Sequence, residues 1–128
     1  MSKVQIMLID DDSLSLKSLK SALQLNGFMV DAFNNPLVAW DKFKKKSYDL
    51  VMTDIMMEPI DGYRMLRLFL TSKPKIHIIL FTGNMTNSFR ERAVRIGADH
   101  FFNKPVPIEK IFNILHTLQK DLDSHDSD

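Results

Sequence analysis

Ionisable and hydroxyl side chains follow four apolar segments of this sequence, at the point where each segment ends. Short apolar runs bounded by turn-forming residues are typical of buried β-strands. An unpaired buried carboxylate is costly, so an acid at such a position indicates a site rather than core. The segments and the groups that follow them are Val4–Ile9 with Asp10, Asp11 and Asp12, Leu50–Thr53 with Asp54, Ile76–Phe81 with Thr82, and Asp99–Asn103 with Lys104.

If these strands are parallel neighbours, their carboxyl ends share one edge of the sheet, where ligands bind in open α/β sheets. The acids would repel one another there, so that one takes up a proton or a cation binds. Carboxylates without sulfur or imidazole partners suit a hard ion such as Mg²⁺ (or Mn²⁺). A cation, the Lys104 ammonium and the Thr82 hydroxyl around Asp54 would stabilise a phosphoryl group in transfer to that carboxylate. The pattern therefore favours an aspartyl phosphate at Asp54.

Helices and strands that would position these groups alternate along the whole chain. The first strand is followed by Leu16, Leu19 and Leu23 at helical spacing, after a predicted cap at Asp12 or Ser13, and similar patterns follow the other strands. Five strands alternating with five helices predict a doubly wound α/β domain with helices on both faces of a parallel sheet. We predict one domain over residues 1–122 and a polar, disordered tail or linker over residues 123–128.

Length and composition fit one globular domain. The 128 residues are 45% hydrophobic and 26% charged, with a formal net charge of +1. The chain lacks cysteine, which excludes disulfides and thiolate metal sites. No apolar stretch reaches the length of a transmembrane helix and no signal peptide is recognisable, so we expect a cytoplasmic location without membrane contact. No helix-turn-helix or basic face is recognisable either, and we do not expect direct nucleic-acid binding.

Four motifs carry a family resemblance. They are Leu8-Ile9-Asp10-Asp11-Asp12, Asp54-Ile55-Met56-Met57 with Asp61-Gly62, Phe81-Thr82-Gly83, and Phe101-Phe102-Asn103-Lys104-Pro105. With them the sequence resembles, over essentially its whole length, the receiver (phospho-acceptor) domain of two-component response regulators. Their combination in this order and at these intervals is highly specific. The resemblance implies a flavodoxin-like (βα)5 fold with a five-stranded parallel sheet of order 2-1-3-4-5.

The resemblance also implies a function. Asp54 would accept a phosphoryl group from a histidine kinase or a histidine phosphotransfer protein. Mg²⁺ would be bound by Asp10, Asp11, Asp54 and the backbone carbonyl of Met56. Such a domain is not an enzyme beyond its self-catalysed phosphorylation and dephosphorylation.

Phosphorylation would then switch a partner-binding surface. By the same resemblance, Thr82 and Lys104 would bind the phosphoryl oxygens, and Thr82 and Phe101 would reorient on activation. The Lys104–Pro105 peptide bond would be cis. The surface of the fourth helix, fifth strand and fifth helix would bind a downstream output domain or protein, and phosphorylation is expected to allow homodimerisation.

One position departs from the family pattern. Proline usually stands four residues after the acceptor, where this chain has Glu58, and Pro59 follows it. An added negative charge beside the metal site would alter Mg²⁺ affinity or phosphoryl lifetime. The sequence is equally compatible with a solvent-exposed loop glutamate that has no such effect. Met56 and Asn84 occupy positions that in the family flank the path of hydrolytic water.

Two other functions fit part of the pattern. A haloacid dehalogenase-type phosphohydrolase also uses a nucleophilic aspartate, a hydroxyl, a lysine and Mg²⁺, and residues 10–12 contain its D-x-D. The length of the chain and the motif at Asp54 argue against it. A receiver-like module that binds partners without phosphorylation is the other alternative, and Glu58 is its sequence support.

Overall fold

The computed structural model describes residues 3–84 and 86–126, in which strands and helices alternate in the predicted order. The strands are β1 (Gln5–Ile9), β2 (Met29–Phe33), β3 (Leu50–Asp54), β4 (His77–Thr82) and β5 (His100–Asn103). The helices are α1 (Ser13–Leu25), α2 (Pro36–Phe43), α3 (Gly62–Ser72), α4 (Asn87–Ile96) and α5 (Ile108–Asp126). No helix in the described ranges has both the length and the apolar character that crossing a membrane requires.

Across the described residues, the five strands form one parallel sheet in the order β2-β1-β3-β4-β5. This confirms the predicted α/β fold class and strand order. Neighbouring strands are in a register that pairs Ile9 with Thr53, Asp54 with Phe81, and Thr82 with Asn103. The carboxyl ends of β1, β3, β4 and β5 therefore lie along one edge.

Alternation along the strands divides the apolar core into two layers. One layer contains Val51 and Leu80 and packs against α2, α3 and α4, and the other contains Met52 and Phe81 and packs against α1 and α5. Sheet residues that are buried on both faces form the near-continuous apolar runs seen in the sequence. The same alternation assigns each polar residue at the carboxyl edge to one of the two layers.

Side-chain caps fix the starts of the helices that leave this edge. The Asp12 carboxylate accepts hydrogen bonds from the backbone of Leu14 and Ser15, as the predicted cap of α1. Asp61 caps α3 and Thr86 caps α4 in the same way. Each cap satisfies backbone N–H groups that have no partner within the first helical turn.

At the opposite edge of the sheet, two aspartates that precede strands bind backbone N–H groups of neighbouring strands. Asp49 Oδ2 lies 2.7 Å from the nitrogen of Gln5, and Asp99 Oδ2 lies 2.7 Å from the nitrogen of Ile78. Both aspartates also donate their own N–H to the same neighbours' carbonyls, at 2.9 Å. These paired bonds fix where β3 and β5 begin.

The boundaries differ from the sequence prediction in two respects. Four strands, β1, β2, β4 and β5, begin one residue later than their predicted starts at Val4, Phe28, Ile76 and Asp99. At three of these positions the backbone N–H donates outside the sheet, from Val4 to Gln119, from Phe28 to Leu23 at the end of α1, and from Ile76 to Lys73. Helix α5 continues into the predicted polar tail as far as Asp126, supported by a 3.1 Å bond from Gln119 to Asp123 one turn later. Residues 127 and 128 lie outside the described residues, and the boundary at residue 122 remains a prediction.

Gly62 allows helix α3 to start against the backbone of β3. A Cβ atom at this position would lie 2.2 Å from the Asp54 carbonyl oxygen and 2.8 Å from the Ile55 Cα. We expect Gly62→Ala to lower the free energy of unfolding by about 1–3 kcal/mol, as overpacking does in cores. Gly83→Ala is the matched control, since a Cβ there would meet no atom within 4 Å. Equal urea denaturation midpoints for the two variants would contradict the steric explanation.

Tyr48 and Lys46 bind one carboxylate, that of Asp31. The Tyr48 hydroxyl donates to Asp31 Oδ2 at 2.5 Å, and Lys46 Nζ lies 2.7 Å from the same oxygen. Burial alone would raise the pKa of Asp31, but its hydrogen bonds with Lys46 and Tyr48 outweigh burial and hold the pKa below its ordinary 3.8. The resulting stabilisation is fully present above pH 3.8 and is lost as the pH falls through the folded-state pKa.

We expect Tyr48→Phe to lower the free energy of unfolding at neutral pH by about 1.5–3 kcal/mol, because the lost bond has a charged acceptor. The difference in the free energy of unfolding between this variant and the unsubstituted protein should become smaller below pH 3.8, where Asp31 takes up a proton. Tyr63→Phe is the control, since its hydroxyl donates to the neutral carbonyl of Phe89. Urea unfolding across the acid range measures the free energy of unfolding of both variants. If Tyr48→Phe lowers that free energy by the same amount at every pH down to acid unfolding, the bond from Tyr48 to charged Asp31 is not the cause.

Candidate functional site

The neighbouring strands β1 and β3 bring two carboxylates together at the carboxyl edge. Ile9 is paired with Thr53, so the next residues, Asp10 and Asp54, stand side by side. By strand alternation both belong to the layer that α1 and α5 cover. Asp10 is 1% exposed and Asp54 4% exposed, so the two like charges lie close together and largely out of water.

Lys104 provides the positive charge between them. Its Nζ atom lies 2.7 Å from Asp10 Oδ2 and 2.7 Å from Asp54 Oδ2. Lys104 follows β5, so its side chain crosses β4, and the ammonium lies 5.6 Å from the centre of the Phe81 ring. The long apolar stem of a lysine can lie along such a ring while the charged end reaches further.

Backbone N–H groups hold the second oxygen of each carboxylate. Asp10 Oδ1 accepts from the nitrogen of Asp12 at 3.0 Å, and Asp54 Oδ1 accepts from the nitrogen of Met56 at 2.9 Å. Within the described part of the chain, Asp10 Oδ2 makes no hydrogen bond of ordinary geometry, so its contact with Lys104 is an ion pair. A buried carboxylate oxygen with one charge contact retains capacity for another cation.

Burial and charge shift the pKa values of this cluster. Burial raises the pKa of Asp54 above its ordinary value, and the negative charge of Asp10 adds to the effect, while Lys104 and the Met56 N–H oppose it. Burial would lower the pKa of Lys104, but Asp10 and Asp54 outweigh burial and raise it. The lysine is therefore firmly charged, while the pKa of Asp54 stays above its ordinary value.

A third carboxylate completes a set of oxygen ligands. Asp10, Asp11 and Asp54 each offer an oxygen atom, and the three atoms lie within 4.8 Å of one another. Asp11 is exposed, so the set opens to solvent on one side. Oxygen ligands of this kind fit a hard divalent cation such as Mg²⁺, which usually retains several water ligands. The cluster could hold such an ion.

The remaining predicted site residues lie on or shortly after β3, β4 and β5. Thr82 is buried and accepts a long 3.5 Å contact from the nitrogen of Asn84. Met56 follows Asp54 by two residues, with its side chain 60% exposed. Phe101 is half-buried and, like Thr82, belongs to the layer that α3 and α4 cover. The Lys104–Pro105 peptide bond is cis.

The loop between β3 and α3 forms one wall of the site. A depression of about 460 Å³ is lined by Asp11, Met56, Met57, Glu58, Pro59 and Asp61. Glu58 is exposed and lines the same depression as Asp11, and the Glu58–Pro59 peptide bond is cis. The residue that departs from the family pattern thus borders the acidic cluster.

Two residues of this region were not given these roles by the sequence. Phe81 supports the lysine, and the guanidinium of Arg90 lies 4.5 Å from the centre of the Phe101 ring. Strand register gives a signal for the first contact, since Phe81 lies between the paired positions of Asp54 and Phe102. The second contact joins a helix to a strand, and the spacing of residues in the sequence gives no signal for it.

Comparisons with known proteins agree with this geometry. Residues 6–116 match the family model of the response regulator receiver domain. The transcriptional regulatory protein ZraR of Klebsiella oxytoca is 31% identical over 109 residues, which are 85% of this chain and 25% of that protein. The probable transcriptional regulatory protein SilR of Salmonella typhimurium is 27% identical over 115 residues, 90% of this chain and 50% of that protein. The chain thus spans a quarter to a half of the length of these relatives.

A solved structure shares the fold. The CheY-like response regulator receiver domain protein of Methanospirillum hungatei JF-1 superposes with a TM-score of 0.84 and 26% identity, covering 94% of this chain and 99% of that one. Its fold class is the one observed here, and the family model covers the residues that form the acidic edge of the sheet. This chain belongs to the response regulator receiver domains, which are signalling domains of two-component systems rather than classical enzymes.

Proposed function

We propose that Asp54 accepts a phosphoryl group from a histidine kinase or a histidine phosphotransfer protein. The observation that supports this most directly is the position of Lys104 Nζ, 2.7 Å from the carboxylates of both Asp10 and Asp54. A fixed ammonium at the acceptor is the arrangement that phosphoryl transfer requires, because catalysis there depends mainly on positioning and charge neutralisation. The same arrangement is compatible with Mg²⁺ held by Asp10, Asp11, Asp54 and the Met56 carbonyl.

In the proposed transfer, a carboxylate oxygen of Asp54 forms a bond to phosphorus as the bond between phosphorus and the partner's imidazole nitrogen breaks. The imidazole retains the electron pair of the broken bond and takes up a proton. The Met56 N–H bond to Asp54 Oδ1 orients the carboxylate. Bound Mg²⁺ would neutralise negative charge on the transferred phosphoryl oxygens.

The chain's own polar groups would then follow the new oxygens. The Lys104 ammonium already touches the acceptor, so a small displacement along the Phe81 ring is enough to pair it with a phosphoryl oxygen. Among the described residues, the contact of the Thr82 hydroxyl with the Asn84 nitrogen is long, at 3.5 Å, so little is lost from it when the hydroxyl turns to donate to the phosphoryl group. Phe101 lies on the same face as Thr82 and would move with it.

The response would appear on the surface formed by α4, β5 and α5. We propose that this surface binds a downstream output domain or protein, or a second copy of the chain, in the cytoplasm. Phosphorylation adds about −1.5 to −2 charge at the sheet edge. A charge change of this kind acts on partners by shifting the population of a two-state surface.

Intact mass after incubation with acetyl phosphate or phosphoramidate and Mg²⁺ tests the acceptor. We expect the protein to gain one labile phosphoryl group and Asp54→Asn to gain none. Asp12→Asn is the matched control: it also removes an acid at this edge, but asparagine caps a helix as well as aspartate, so this variant should retain the adduct. Absence of any adduct from the unsubstituted protein would favour an interaction module that works without phosphorylation.

Substitution of Glu58 tests the charge beside the acidic cluster. We expect Glu58→Gln and Glu58→Pro to weaken Mg²⁺ binding by about two- to fivefold, the size of an effect between charges near a solvated surface. Asp41→Asn removes an acid of similar exposure on α2 and should leave the affinity unchanged. Titration of Mg²⁺ by NMR measures the affinity, and the decay of the phosphorylated mass measures the lifetime. If both quantities are unchanged in the Glu58 variants, Glu58 is an ordinary loop residue.

A further inference from the structure

Helix α4 contributes little apolar surface to the core. Ala93 is buried, and Phe89 and Ile96 are half-buried, while Val94 is 58% exposed. Helix α3, by contrast, buries a full apolar face that includes Met65, Leu66 and Phe69. Since stability of a packed helix comes mainly from burial of its apolar face, α4 depends on other contacts to hold its position.

Aromatic contacts with arginines supply such support. The Arg92 guanidinium lies 4.2 Å from the centre of the Tyr63 ring, and the Tyr63 hydroxyl donates to the Phe89 carbonyl at 3.2 Å. These two contacts join α4 to α3. Contacts of these two types can hold a helix in place although it has no deeply buried apolar face.

The contact between Arg90 and Phe101 joins α4 to the sheet instead. The Arg90 guanidinium lies 4.5 Å from the centre of the ring, well within the range of a cation–π interaction. Phe101 is paired with Leu80 on β4, two positions before Thr82 and on the same face. Lys104 follows Phe101 by three residues, directly after the end of β5. Arg90 therefore contacts the aromatic residue of β5 that lies on the same face of the sheet as the Thr82 hydroxyl.

We propose that Arg90 is a positioning residue that holds Phe101 in the unphosphorylated arrangement and thereby opposes activation. The inference rests on the proposed phosphorylation of Asp54. The attraction requires the ring face to remain under the guanidinium, so rotation of the ring toward Thr82 breaks the contact. An interaction made in one of two states shifts the equilibrium toward that state by its full strength.

The expected effect is modest and measurable. A cation–π contact at a partly exposed site corresponds to about a two- to fivefold change in an equilibrium constant. Removal of the Arg90 charge should therefore make the activated arrangement about two to five times easier to reach. Removal of the Arg92 charge should not, because Arg92 contacts Tyr63 on α3 rather than Phe101 on β5.

Beryllofluoride, a chemical analogue of the phosphoryl group, allows a direct test with the full chain and Mg²⁺. We expect Arg90→Met to bind beryllofluoride about two- to fivefold more tightly than the unsubstituted protein in a calorimetric titration, although its urea midpoint is lower. Arg90→Lys retains the cation and should restore the original affinity. Arg92→Met should lower the urea midpoint and leave the affinity unchanged, which separates the proposed role from a general loss of packing.

A spectroscopic measurement complements the titration. With 4-fluorophenylalanine placed at position 101, the ¹⁹F resonance of Arg90→Met without ligand should move toward its position in the beryllofluoride complex. This inference would be overturned if Arg90→Met and the unsubstituted protein bound beryllofluoride with equal affinity, or if Arg92→Met gained as much affinity as Arg90→Met. Either result would leave the proposed phosphorylation of Asp54 unaffected. Failure of the unsubstituted protein to bind beryllofluoride would overturn both.

Discussion

Two carboxylates cannot remain charged, adjacent and buried without a cation between them, and this constraint governs the carboxyl edge of the sheet. Asp10 and Asp54 are brought together by the pairing of β1 with β3. The cation comes from Lys104, which follows β5 and reaches them across β4. The Phe81 ring on the intervening strand lies 5.6 Å from the ammonium and gives its path an apolar support. The order of the strands and the identity of a core phenylalanine are thus both conditions for the electrostatic balance of the site.

Strand alternation places different kinds of residue on the two faces of the sheet at this edge. Asp10, Asp54 and Lys104 belong to the layer covered by α1 and α5, whereas Thr82 and Phe101 belong to the layer covered by α3 and α4. The charged groups can therefore gather on one side while the residues that contact α4 lie on the other. Thr82 stands at the end of β4, next in sequence to Phe81, and is the point where the two sides meet. If Asp54 is phosphorylated as proposed, the new group would affect the α3 and α4 side of the sheet through this residue.

The sequence was sufficient for the fold class, the element order and the edge that carries the site, because apolar strands followed by polar residues leave a local pattern. Asp12 was predicted as a cap and is one, since capping also depends on neighbours in sequence. The length of α5 was underestimated, because polar residues do not end a helix when neither glycine nor proline interrupts it. The contacts of Lys104 with Phe81 and of Arg90 with Phe101 depend on strand register and helix placement. Such contacts arise only when distant segments pack.

The packing of the two helices on the Thr82 side determines which of them can respond. Helix α3 is fixed at its first residue, because Gly62 lies against the backbone of Asp54 and its N–H donates to the Ile55 carbonyl at 2.8 Å. Displacement of α3 would disturb the backbone of Asp54 and expose the buried apolar face of the helix. Helix α4 can shift while exposing little apolar surface, since cation–π and hydrogen-bond contacts hold much of it in place. A structural change that follows the proposed phosphorylation of Asp54 would therefore disturb less core packing through α4 than through α3.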